Sequence, residues 1–124
     1  MLKKRLLFSI LLFWVILITV LSLVSFRKIP KIAIENSDKY VHFVFYFVLT
    51  ILLYINLFQK WKITKSIFFS IIVAIIYGII IEVLQESLTQ TRKAEINDVF
   101  FNVLGTLIGA FLIILCRKRL NILK

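Results

Sequence analysis

A chain of 124 residues that is 61% apolar, with a mean hydropathy of +1.01, carries more hydrophobic surface than a soluble domain of that size can bury. Lipid is the solvent that accommodates the excess. The net charge of +10 does not signal nucleic acid: Lys and Arg fall in short clusters between apolar runs, the pattern of membrane-flanking anchors, and no basic surface helix or aromatic stacking module remains to bind a polynucleotide.

A bilayer core of about 30 Å needs about 20 helical residues. Four runs come close to or exceed that length, so the expected fold is an all-α, four-helix transmembrane bundle forming a single domain over residues 1–124. The first run, Leu6 to Phe26, contains no charge and follows Lys3-Lys4-Arg5. It is too long for a signal-peptide core, and no small-x-small site precedes Arg27, so it is expected to stay as an anchoring and orienting helix. Pro30 stops the helix from continuing past Arg27-Lys28. Asn36, Ser37 and Asp38 offer N-cap side chains for the second run, Tyr40 to Phe58. Trp61, between Lys60 and Lys62, is an interface anchor ahead of the third run, Ser66 to Leu84. Thr89, Thr91 and Asn97 keep the next loop polar, and the fourth run spans Val99 to Leu115. A single cysteine, Cys116, precludes an intrachain disulfide. It lies beside Arg117-Lys118-Arg119, a context open to lipidation, although a small apolar residue at a helix end is the simpler reading.

Lys and Arg counts set the orientation. Lys3, Lys4, Arg5, Lys60, Lys62, Lys65, Arg117, Lys118, Arg119 and Lys124 share one face; Arg27, Lys28, Lys31, Lys39, Arg92 and Lys93 share the other. The positive-inside rule places the first face, with both termini, in the cytoplasm. The acidic residues, Glu35, Asp38, Glu82, Glu86, Glu95 and Asp98, all lie toward the second face, where ion pairs with its cations can form.

That second face holds the candidate site. Asp38 and His42 are four residues apart and share a helix face, which Tyr46 extends by a turn. On the third helix Gly78, Glu82, Gln85 and Thr89 fall within a stripe about 60° wide, at about 100° per residue. Asp98, Asn102, Gly105 and Gly109 repeat the same offsets on the fourth. Matching polar stripes on antiparallel neighbours are what a shared polar interior requires. Gly78 and the Gly105-x-x-x-Gly109 pair lie deeper, where they let another backbone come close. The expected profile is a bundle packed tightly below and opening into a polar pocket near the outer surface.

The run Glu82-Val83-Leu84-Gln85, then Arg92, Asp98, Asn102, Gly105 and Gly109, resembles the signature of VanZ-like membrane proteins, roughly E-x-x-Q, R, D-x-x-x-N-x-x-G-x-x-x-G. Asp38, Lys39 and His42 resemble the family's earlier D-K-x-x-H motif. The resemblance covers about residues 38 to 110. The stretch Glu86-Ser87-Leu88-Thr89-Gln90 departs from it, since many members have an apolar residue and often a Pro there. The resemblance implies a multi-pass protein of the bacterial cytoplasmic membrane, in a family named for a member linked to low-level resistance to the glycopeptide teicoplanin. It implies no settled biochemical activity.

Each residue of the site also has a structural reading. Glu82 can pair with Arg92 or Lys39, as buried charges normally do. Asp98 near a helix start suits the dipole. Gln85 and Asn102 can act as interhelical hydrogen-bonding groups. The lone His42 supplies no recognisable metal-ligand set, so neither a metal nor a cofactor is expected. What the structural reading explains less well is the gathering of Asp38, Lys39, His42, Glu82, Arg92 and Asp98 at one level, because an intramembrane ionisable cluster marks a functional site by default. The leading expectation is a non-enzymatic envelope protein that binds an anionic lipid head group or envelope precursor, with Arg92 and Lys39 as anion contacts. The alternatives are an enzyme on a lipid-linked phosphate, with His42, Glu82 and Asp98 as acid/base groups, and a structural or assembly subunit. A homo-oligomer stays open.

Overall fold

The computed structural model describes residues 2–23, 37–88 and 96–120, without the side chains of 37–39, 88 and 118–120. The described residues are 96% helical, with no strand among them. Four helices account for this: α1 (Leu2–Leu23), α2 (Ser37–Phe58), α3 (Ile63–Leu88) and α4 (Ile96–Leu120). All four are long and apolar enough to cross a membrane. All four observed helices begin about a turn earlier than the apolar runs, and α3 and α4 also end later. Apolarity marks the part in hydrocarbon, whereas backbone hydrogen bonding carries the helix on into the polar margin. The expected end of the first helix, Phe26, and the caps Asn36 and Pro30 lie outside the described residues.

Residue pairs across the helices define an up-down-up-down bundle. Leu7 and Trp14 of α1 meet Asn56 and Phe45 of α2, so these two run antiparallel. Val15 and Ser22 meet Tyr77 and Gln85, so α1 and α3 run parallel. Phe43 and Phe47 face Gly105 and Gly109, so α2 and α4 run parallel. The central pair α2 and α3 pack against each other and against both flanking helices. Their hairpin is closed by a short turn in which Lys60 N and Trp61 N donate to the Leu57 carbonyl. Lys65 Nζ lies 4.4 Å from the centre of the Trp61 ring, as suits an interfacial aromatic.

The core has two parts. Ile18, Tyr46, Leu49 and Ala74 form one, with Trp14 and Tyr77 against it; Tyr54, Ile55, Phe58 and Ile113 form the other. Large apolar side chains such as Phe13, Val44, Ile76, Phe111 and Leu115 point outward, as lipid-facing surfaces require. Three small hydroxyls inside the bundle are satisfied within their own helix: Thr50, Ser70 and Thr106 each donate to the carbonyl four residues back.

The closest approach is between α2 and α4. A Cβ on Gly105 would lie 3.2 Å from Phe43 Cα and nearer still to the Phe43 carbonyl oxygen. At Gly109 the equivalent atom would lie 3.0 Å from the Phe47 carbonyl oxygen and 3.4 Å from Thr50 Cβ. Backbone cannot yield as a side-chain tip can. Gly105→Ala is therefore expected to cost about 1–3 kcal/mol, as an overpacking change, and Gly109→Ala less. Thermal unfolding of the two variants in the same detergent checks the order.

Candidate functional site

Three helices deliver ionisable side chains to one buried point. His42 comes from the second turn of α2, Glu82 from the last third of α3 and Asp98 from the first turn of α4. All three are buried, Glu82 at 2% exposure. One ligand-type atom from each lies within 4.8 Å of the others. Asp98 is placed where the partial positive charge of the α4 N-terminus favours a carboxylate.

Asn102, one turn along α4 from Asp98, is 2% exposed and holds the imidazole. His42 Nδ1 and Asn102 Oδ1 are 3.0 Å apart. An amide oxygen only accepts, so Nδ1 carries the proton and donates it. In the neutral ring this leaves the lone pair on Nε2, which faces Asp98 Oδ2 at 3.9 Å, beyond hydrogen-bonding distance. Asn102 Nδ2 is buried with no hydrogen-bond partner among the described residues, as is the hydroxyl of Tyr46. Both side chains press on Gly78: a Cβ there would lie 3.2 Å from Asn102 Nδ2 and 3.2 Å from Tyr46 Cε1. The missing Cβ of Gly78 is thus what lets α2 and α4 side chains meet beside α3.

Gln85 is equally buried, and its Nε2 donates to the Ser22 carbonyl of α1 at 2.7 Å. The first helix is more than an anchor. Its carbonyls also accept from Tyr77 at Val15 and from Asn56 at Leu7, Trp14 donates to the Phe45 carbonyl, and Thr19 pairs with the Tyr77 hydroxyl. Trp14, Thr19, Ser22, Tyr46 and Tyr77 were not among the expected site residues. Backbone acceptors leave no trace in a sequence, although Tyr46 lies on the Asp38–His42 stripe. Of the expected site, His42, Glu82, Asp98 and Asn102 converge. Arg92 and the side chains of Asp38 and Lys39 lie outside the described residues.

The VanZ/LLP1 family model matches residues 5–117. The chain belongs to this family. No curated protein and no solved structure matches it significantly. Within this VanZ-like protein the chemistry differs between the two ends. At the end away from His42 a recess of about 550 Å³ opens between α1 and α2, lined by Lys4, Arg5 and Lys60 over Leu11, Leu53 and Leu57.

Two tests follow from the geometry around His42. The chain has one histidine, so its 15N NMR signals are unambiguous, and in apo protein they should show the Nδ1–H tautomer, giving way to a mixture in Asn102→Ala. Removing the buried acceptor should also cost about 1–3 kcal/mol in thermal or denaturant unfolding. A Thr19→Val, Tyr77→Phe double-mutant cycle should return a coupling of about 0.6–1.7 kcal/mol, the range for interhelical hydrogen bonds in a membrane.

Proposed function

We propose that this VanZ-like protein resides in the bacterial cytoplasmic membrane with both termini inside. There it binds the anionic head group of a lipid or a cell-envelope precursor at its outer end. The observation that carries the reading is the convergence of His42, Glu82 and Asp98, from three helices, on one buried point. A charged residue at the middle of a span costs about 2.5–3.5 kcal/mol on insertion scales and less toward the ends, so ionisable groups inside a bundle are few and face its interior. A bundle that needs only to hold together has little reason to gather three such groups at one level. Two carboxylates alone would repel an anion, so the anion contacts fall to Lys39, in the first turn of α2, and Arg92, between α3 and α4. A guanidinium fork suits a phosphate or carboxylate. By the family resemblance, loss of the protein should alter sensitivity to glycopeptides of the teicoplanin type.

A second reading is favoured by one feature. His42 is fixed through Nδ1, with its basic Nε2 turned toward Asp98. That arrangement also suits proton transfer in an enzyme acting on a lipid-linked phosphate. Turnover separates the two: purified protein would release product from lipid-linked phosphates, and His42→Ala would abolish the release.

For the leading reading, a deletion strain is profiled for lipid-linked intermediates and for glycopeptide sensitivity, then complemented. Arg92→Ala and Lys39→Ala are expected to fail to restore the wild-type profile. Full rescue by both variants would overturn the head-group reading.

A further inference from the structure

We propose that His42, Glu82 and Asp98 form a binding site for one divalent transition-metal ion, with Asn102 as the positioning residue that orients the imidazole. The donor set is one imidazole nitrogen and two carboxylates, which suits Zn2+ or Mn2+ better than the all-oxygen shells of Ca2+ or Mg2+. The spacing suits a shared ion. His42 Nε2 and Asp98 Oδ2 stand 3.9 Å apart, too far for a hydrogen bond, and all three ligand atoms lie within 4.8 Å of one another. Ligand atoms on a common ion with bonds of about 2.0–2.2 Å are about 3–4 Å apart, so small side-chain rotations close the shell.

The second observation concerns the imidazole. Asn102 Oδ1 accepts from His42 Nδ1, which leaves the lone pair on Nε2, the atom aimed at Asp98. Fixing a histidine through its other ring nitrogen is what outer-shell partners of metal sites do. Charge points the same way. Two carboxylates brought to one point attract a dication. Three protein ligands leave coordination positions open. An anionic head group could bind there; this last step, unlike the ion site itself, rests on the function proposed above.

The test uses full-length protein, purified in phospholipid-free detergent, stripped with chelator and titrated with Zn2+ by calorimetry and with Mn2+ by electron paramagnetic resonance. The expected result is one ion per chain, with nitrogen coupling from the single histidine on the bound Mn2+. Glu82→Gln and Asp98→Asn should each weaken binding by at least tenfold, and Asn102→Ala by about 10–100-fold. The nitrogen coupling is read on wild-type protein, so it does not depend on any variant folding. Folded, monodisperse wild type that binds no ion, binds it without histidine coupling, or binds it equally well after Glu82→Gln and Asp98→Asn overturns the site. Ion binding together with full rescue by Arg92→Ala and Lys39→Ala would overturn the head-group reading alone. No ion binding together with failed rescue would overturn the ion site alone.

Discussion

The backbone-to-backbone approach of α2 and α4 is the constraint from which the rest follows. With no Cβ at Gly105, the Phe43 carbonyl settles directly on α4. His42 precedes Phe43 by one residue and Asn102 precedes Gly105 by three. The crossing therefore fixes the register in which Asn102 Oδ1 can accept from His42 Nδ1. The contact at Gly109 and Phe47, one turn further along, prevents the two helices from rotating about the first contact. In lipid there is no hydrophobic drive between helices, so close van der Waals packing is what such a pair depends on. Gly78 completes the arrangement from α3 by leaving room for both Asn102 and Tyr46.

The first helix is held by a different means. It has few buried side chains, Ile18 and Ser22. Its attachments are hydrogen bonds spread along its length, from Asn56, Trp14, Tyr77 and Gln85. Each joins a side-chain donor to a backbone carbonyl on the neighbouring helix. Carbonyls in a helix already accept one bond and have a second lone pair, so α1 docks without exposing a new polar group to lipid.

The four spans were legible because their signal is length in hydrocarbon, which 20-residue apolar runs state directly. The meeting of His42, Glu82, Asp98 and Asn102 was legible because offsets of 4, 7 and 11 keep polar groups on one face, and antiparallel α3 and α4 bring the matching faces together. Three things were not. The partner of the glycine pair is set by how α2 crosses α4, and α2 advertises no small residue at that point, only Phe43 and Phe47. The acceptors on α1 are main-chain atoms, identical at every position. And the three groups that meet did not read as a set that could hold an ion, because positions 42, 82 and 98 lie on separate helices with no local ligand spacing and a lone histidine argued against a metal.

The bundle itself shows how this chain makes structural hydrogen bonds. Around α1 the donors are neutral, mostly amide, indole or phenol, and their acceptors are backbone carbonyls. Within helices they are hydroxyls and amides bonding back by one turn. The cluster of His42, Glu82 and Asp98 follows neither pattern. It brings ionisable side chains from three helices face to face, and its His–Asp separation of 3.9 Å is looser than a structural hydrogen bond. A neutral residue would serve packing there at lower cost, since an amide or hydroxyl loses far less on leaving water than an ionised group. The chain uses the cheap solution wherever α1 must be held. Its use of the expensive one at a single level is the physical reason behind the proposal that this level binds a ligand.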